Sequence, residues 1–324
     1  MPELPAQPAR PTPIVLTEER VRALLPLPAA IEVTRDALVA HAAGRVTQPD
    51  PWHLEIPEAR GEVHIKGAYV HGSGYYAAKL ATGFYGNGAR GLPVSSGLSV
   101  VADAVTGFPV VIALDGGYLT DARTAAAGAL ATAALARPDA EVVALAGPGI
   151  IGELTAEALL SLRNPAELRI YGPTPERARA AAGRLSAIGG WTVTAVPGAR
   201  QAIEGADIVI TATPTRAPHI DGAWLAPGAH VTALGADMTG KRELMPSVLE
   251  RAGVIAADDV AQSRAVGELQ YAPGLPAVAL GDVLAARVPG RTDPSQITVA
   301  DLTGLGAEDA AVGAHIAAQT AAEA

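Results

Sequence analysis

Four groups of residues in this chain have types and spacing that could do chemistry, and the first is a pair of lysines. Residues 62–70 and 75–83 are strand-like runs of β-branched and aromatic residues, and His71-Gly72-Ser73-Gly74 between them reads as a hairpin turn. With Val70 facing Tyr75 across that turn, Lys66 falls opposite Lys79. Like charges opposed on one sheet face repel, by roughly 3 kcal/mol at ~5 Å and an effective dielectric of about 20. Their same-face neighbours are Ala68 and Ala77 on one side and His64 and Ala81 on the other, which leaves room for something negative. Two readings stand from the hairpin alone, an anion site or two solvated lysines. A one-residue slip in register would move one lysine to the other face.

The second group is "VVALAGPGIIGEL", with Gly147, Gly149 and Gly152 between an apolar strand and a helix opened by Ile150 and Ile151. The three glycines suit a tight turn, close approach of backbone to a pyrophosphate, and close packing of helix on strand. The pyrophosphate then sits at a helix N-terminus, where unpaired N–H groups favour anions. The next strand ends in Gly172 where an NAD site would carry an acid, with Thr174 and Arg177 close behind. A hydroxyl and a cation in place of that acid lean toward a 2′-phosphate and so NADP. Arg177 on a solvated helix face is the alternative.

Arg123 is the third. "YLTDARTAAAGA" places it in the first turn of a long helix, where a cation opposes the helix dipole. An anionic ligand shared with the guanidinium would offset that cost, as would a local pair with Asp121. The fourth is Asp237 in "HVTALGADMTGKREL", just beyond an apolar strand, where ligands of open α/β sheets gather. It suits proton transfer there, or it is a turn-forming residue.

The elements that must position these groups fall into two parts. Helical patterns at residues 17–25 and 28–44 come first, with Thr17 as an N-cap and Pro28 in a first turn. The hairpin and further Gly- and Pro-punctuated strand runs follow, predicting a mostly antiparallel sheet. An alanine-dense helix over residues 121–137 ends at Pro138. Beyond it, strand runs alternate with helical segments, which predicts a parallel sheet with crossovers. The chain is therefore expected to be α/β, with a Rossmann-type NAD(P)-binding domain and a second, α+β domain. The helical tail could return to the first domain.

Composition limits the function classes. The chain has 324 residues, 49% hydrophobic and 18% charged, enough for two packed domains. A net charge of −9 argues against a nucleic-acid partner. It has no cysteine, hence no disulfide or thiolate metal site, and its seven histidines lack metal-like spacing. "MPELPAQPARPTP" is broken by proline and reads as a mobile arm, not a signal peptide. No apolar run is long enough to cross a bilayer, and a cytoplasmic location is the default expectation.

"GLPVSSG", "TGFPVVIALDGGYLTDARTAAAGA", "AGPGIIGE", "GADIVITATPT", "HVTALGADMTGKREL" and "ADLTGLGAEDAA" together resemble the ornithine cyclodeaminase/mu-crystallin family, in family order from about residue 60 onward. The resemblance implies a homodimer with a substrate-binding and dimerisation domain (residues 1–122 and 305–324) and a Rossmann domain (residues 123–304) for NAD or NADP. It implies that Lys79 and Arg123 hold the carboxylate of a small amino or imino acid, with Arg123 and Thr124 near the cofactor. Asp237 would transfer the proton, beside Lys79, and Thr211, Thr213 and Thr303 would lie near the nucleotide. Cyclodeaminases carry a glutamate thirteen residues before the second lysine; this chain has Lys66 there. Their upstream substrate arginine has no secure counterpart in "QPDPWHLEIP" either. Both departures shift the expectation from cyclisation of ornithine toward an amino acid dehydrogenase or an imine or ketimine reductase. Lys66 would then face a second acidic group, as on iminosuccinate. A true cyclodeaminase and a non-enzymatic ligand binder of the mu-crystallin kind are the alternatives.

Overall fold

Two sheets carry the chain, which the computed structural model describes over residues 11–323. Residues 1–10, most of the proline-broken arm, lie outside the described residues. The first sheet has seven strands in the order Ile14–Thr17, Pro109–Leu114, Ser95–Asp103, Tyr75–Phe84 and Gly61–Val70, with Val46–Thr47 and Trp52–Ile56 both pairing to Gly61–Val70. Its pairings are antiparallel except that of Ile14–Thr17 with Pro109–Leu114. The hairpin has the expected register, with Lys66 opposite Lys79 and Tyr69 opposite Tyr76.

Both lysines are buried, 5% exposed each, so neither is a solvated surface residue. The C-terminal helix Gly306–Ala322 covers them, lying across both hairpin strands. A Cβ at Gly306 would come 2.5 Å from the Gly67 carbonyl oxygen, and one at Gly313 would come 3.0 Å from Ala77 Cβ. The small residues beside the lysines therefore seat a helix on the sheet. They do not leave the open room that their size suggested. The opposite face of this sheet is apolar and open, with Trp52, Leu54, Ile65, Tyr76 and Leu114 still 36–52% exposed.

The alanine-dense helix runs from Tyr118 to Leu135, starting one turn earlier than expected. Gly116 and Gly117 adopt positive φ, 62° and 101°, and turn the chain directly out of the strand Pro109–Leu114. Asp115 accepts a hydrogen bond from Leu119 N at 2.8 Å and so satisfies one of the helix's free donors. Nearly every residue of this helix is buried, because it packs against the helices Leu27–Ala42, Ile150–Leu160 and Gly306–Ala322 and against the strands His230–Ala233 and Ile297–Asp301. One apolar core continues from Leu16 and Leu38 through Ala126 and Leu130 to Val143 and Leu168. The expected domain boundary at residues 122/123 falls inside this helix.

The second sheet is parallel throughout, in the order Thr192–Ala195, Glu167–Tyr171, Val142–Ala146, Ile208–Thr211, His230–Ala233, Ile297–Asp301, Ala252–Ala257, Val278–Ala279. The order reverses at Val142–Ala146. Ligands of such sheets collect in the crevice beyond the carboxyl ends of the strands at this reversal. No helix among the described residues is long and apolar enough to cross a membrane.

Candidate active site

The long helix, the hairpin and the C-terminal helix bring three cations and two carboxylates together. Arg123, 3% exposed, donates from Nε to Asp309 Oδ1 and from Nη1 to Glu308 Oε2, both at 2.9 Å. Because the helix begins at Tyr118, Arg123 sits in its second turn, past the strongest part of the dipole. Its partners are these two carboxylates of the C-terminal helix, not Asp121. Gly304 makes the space: a Cβ there would lie 2.4 Å from Arg123 Nη1, and its φ of 77° favours glycine. Glu308 Oε2 also accepts the Leu305 N–H at 3.1 Å, so one carboxylate both caps the helix and pairs the arginine.

The two lysines differ. Lys66 Nζ donates to the carbonyls of Thr303 and Gly304 at 2.9 and 2.8 Å. Burial and the adjacent Arg123 charge push its pKa down, and a neutral amine still has the two N–H groups those carbonyls need. Lys79 is held more loosely, 3.3 Å from Thr120 Oγ1 and 3.6 Å from Asp309 Oδ2. Burial pushes Lys79 down to about 8, and Arg123 and Lys66 reinforce this against the opposing pull of Asp309. Asp309 Oδ2 and Glu308 Oε1 are buried without a hydrogen-bond partner among the described residues. Lys79 thus has donors to spare and faces Asp309 Oδ2, an acceptor not yet satisfied.

Asp237 follows the strand His230–Ala233 and remains 32% exposed at its side chain, so one side of it is open to a ligand. Lys241 Nζ donates to Asp237 Oδ1 at 2.8 Å and to Glu62 Oε1 at 3.0 Å. Burial alone would raise the Asp237 pKa, but the charges of Lys241, His64 and Lys66 outweigh it and hold the carboxyl well below the usual range. Glu62 is likewise brought to about 2: desolvation is overcome by His64, Lys241 and the Tyr85 hydroxyl, which donates to it at 2.7 Å. Among the described residues the Asp237 carboxyl is paired with Lys241 and accepts no hydrogen bond from the backbone of its own turn.

The glycine-rich loop has a distinct use for each of Gly147, Gly149 and Gly152. Gly147 has a φ of 106°, and a Cβ there would meet Ala212 O at 2.5 Å. A Cβ at Gly152 would meet Gly147 O at 2.3 Å, whereas nothing lies within 4 Å of one at Gly149. The middle glycine therefore opens on the space a pyrophosphate would take, at the N-terminus of the helix Ile150–Leu160. Ile150 is exposed and Ile151 half-buried. Gly172 lacks an acid for a steric reason, since a Cβ there would come 2.6 Å from the ring of Pro148. Thr174 and Arg177 are exposed just beyond it.

The four threonines are already engaged. Thr211 Oγ1 and Thr213 Oγ1 each donate to Glu243 Oε1 at 2.6 Å. Thr303 donates from N and Oγ1 to Asp258 at 2.8 and 3.0 Å, and Thr124 Oγ1 donates to the Thr120 carbonyl at 2.7 Å. Sequence reasoning missed these carboxylates. Glu243, which also accepts Gly235 N at 2.7 Å, ties the end of the strand Ile208–Thr211 to the loop that follows His230–Ala233. It missed Lys241, Glu308 and Asp309 as well, although all three stand inside the quoted segments "HVTALGADMTGKREL" and "ADLTGLGAEDAA". Their charges are visible in the sequence, but nothing local to it shows that they are buried partners of the site.

The family model of the ornithine cyclodeaminase/mu-crystallin family matches residues 12–323. An uncharacterized cyclodeaminase of Sinorhizobium fredii is 40% identical over 322 residues, covering 97% of each chain. Among solved structures, an archaeal alanine dehydrogenase dimer with bound NAD superposes with a TM-score of 0.88 at 28% identity, over 96% of this chain and 97% of that one. The Δ1-pyrroline-2-carboxylate reductase of Thermococcus litoralis, in complex with NADH and L-proline, superposes with a TM-score of 0.89 at 25% identity, over 96% and 98%.

Two outcomes follow from this geometry. Gly149→Val has room for its side chain, so the protein folds with an unchanged melting curve, but dinucleotide affinity falls at least tenfold by fluorescence titration. Unchanged affinity would remove the loop from the cofactor site. Lys79 loses its proton as pH rises through about 8, and an anion bound beside it favours the charged form. Carboxylate affinity therefore falls as pH rises through that value, and binding just above it takes up protons. Calorimetry in buffers of different ionisation enthalpy measures the uptake, and none at any pH would contradict the assignment.

Proposed function

The chain belongs to the ornithine cyclodeaminase/mu-crystallin family, and we propose that it is an NAD(P)-dependent oxidoreductase interconverting an α-amino acid and its α-imino or α-keto acid. The observation that carries this reading is the pairing of an under-coordinated Lys79 beside Arg123 with an ionised Asp237, close enough for their charges to act on each other. A zwitterion matches that polarity: its carboxylate meets Lys79 and Arg123, and its nitrogen meets Asp237. The dinucleotide supplies hydride exchange at the substrate Cα. Asp237 accepts hydrogen bonds from the nitrogen and stabilises its protonated form, while the buried lysines and the C-terminal helix keep water from the carboxylate end. A non-enzymatic binder would have no use for a carboxylate held in this way.

The side chain that best suits the site is small and neutral, because Lys66 is spent on the Thr303 and Gly304 carbonyls. A dicarboxylic imino acid such as iminosuccinate is the second reading, favoured by Lys66 lying directly opposite Lys79. Thr174 and Arg177, exposed beyond the second Rossmann strand, support NADP over NAD. The open apolar face around Trp52, Leu54 and Ile65 supports a homodimer in which a second copy covers it.

Steady-state kinetics with NADH and NADPH tests the proposal on three substrates: the imine formed from pyruvate and ammonia, the imine formed from oxaloacetate and ammonia, and ornithine with the oxidised cofactor. The highest kcat/KM is expected on the neutral imine. Asp237→Asn should lower turnover by roughly 10²–10⁴ with cofactor affinity kept within a few-fold. Ammonia release from ornithine without net change in reduced cofactor would identify a cyclodeaminase instead. Binding of all three without turnover would leave a ligand-binding protein.

A further inference from the structure

Asp237 does not set its own charge. Lys241 is 6% exposed at its side chain and stands between Asp237 at 2.8 Å and Glu62 at 3.0 Å. Its turn is fixed from outside: Gly240 N donates to Gln270 Oε1 at 3.0 Å, and Gln270 Nε2 donates to the Lys241 carbonyl at 3.2 Å. Glu62 is fixed in turn by Tyr85 and lies 3.6 Å from His64 Nε2. The side chain of Lys241 therefore has one place to be, against the same oxygen of Asp237. From the other elements, His53, Glu62, His64, Lys66, Lys79 and Tyr85 all lie within electrostatic reach of Asp237. Their charges partly cancel. Among the described residues only Lys241 hydrogen-bonds the Asp237 carboxylate.

We propose, resting on the reading of Asp237 as the group that meets the substrate nitrogen, that Lys241 is a positioning residue that keeps Asp237 a carboxylate throughout the reaction. Glu62 and Tyr85 hold Lys241 in place for that task. The consequence is a choice of substrate protonation state. A permanent carboxylate beside C=N favours the iminium form, in which nitrogen already carries its proton. Hydride from the reduced nicotinamide adds to the iminium carbon, the C=N π pair becomes the nitrogen lone pair, and the neutral amine takes its next proton from water. Asp237 then acts as the counter-ion of the iminium more than as an acid.

The test is the pH profile of kcat/KM for imine reduction in the full-length protein, with each variant checked by thermal melting. Lys241→Met should move the acidic limb upward by about 1–3 pH units, the size expected for loss of an opposite charge within hydrogen-bond distance. Lys241→Arg, which keeps the charge, should leave that limb in its wild-type position even where turnover is lower. Asp237→Asn should erase the limb, and adding Lys241→Met to it should cost less than a further threefold. If Lys241→Met does not fold, Lys241→Gln carries the same expectation, since it keeps a donor and loses the charge. A uniform loss of rate with an unmoved limb in the uncharged variants, or equal profiles for Lys241→Arg and Lys241→Met, would overturn the proposal. A wild-type rate and profile for Asp237→Asn would show that the assignment of Asp237 itself had failed, and the role of Lys241 with it.

Discussion

Arg123 carries its guanidinium into the space between the long helix and the C-terminal helix, where Asp309 and Glu308 meet it at 2.9 Å. Removing one partner of such a buried pair strands a charge and costs about 3–5 kcal/mol, a large part of a domain's stability. The pair therefore does two things at once. It fastens the last helix of the chain across the hairpin, and in the proposed reading it sets the charge that a substrate carboxylate meets. A guanidinium has five donors, and two of them are committed to these carboxylates. Donors thus remain after the helix is docked, and binding can use the cluster without dismantling it.

The opposed lysines are resolved by the same helix, the turn before it and the long helix. Directly facing ammonium groups would repel, but Lys66 is taken by the Thr303 and Gly304 carbonyls and Lys79 by Asp309 and Thr120. The turn that receives Lys66 is the one whose Gly304 lets Arg123 approach. Hairpin, strand-end turn and C-terminal helix thus depend on one another. A dicarboxylate is not required to relieve the hairpin, because the protein supplies the acceptors itself.

Much of this was legible in the residues. Strand alternation and the glycine turn pointed to the hairpin register, from which a one-residue slip would have turned one lysine to the other face, and the strand–glycine–helix pattern marked the glycine-rich loop. Short strands such as Ile297–Asp301 carry too few residues to show a period, and only their place inside a parallel sheet makes them strands. The start of the long helix was misplaced because the Gly116-Gly117 turn reads equally well as the end of a strand run. Asp309, Glu308 and Lys241 were hidden for another reason. Nothing local shows that an acid on an alanine-rich helix will be buried against an arginine 185 or 186 residues away.

The most direct measurement of the central claim, that the Lys79–Arg123 cluster holds the carboxylate while Asp237 meets the nitrogen, is a crystal structure with the dinucleotide and a bound amino acid product. The carboxylate is expected within hydrogen-bond distance of Lys79 Nζ and Arg123, the nitrogen on the Asp237 oxygen away from Lys241, and Lys66 still on the Thr303 and Gly304 carbonyls. A carboxylate seated elsewhere, or a nitrogen turned away from Asp237, would contradict it.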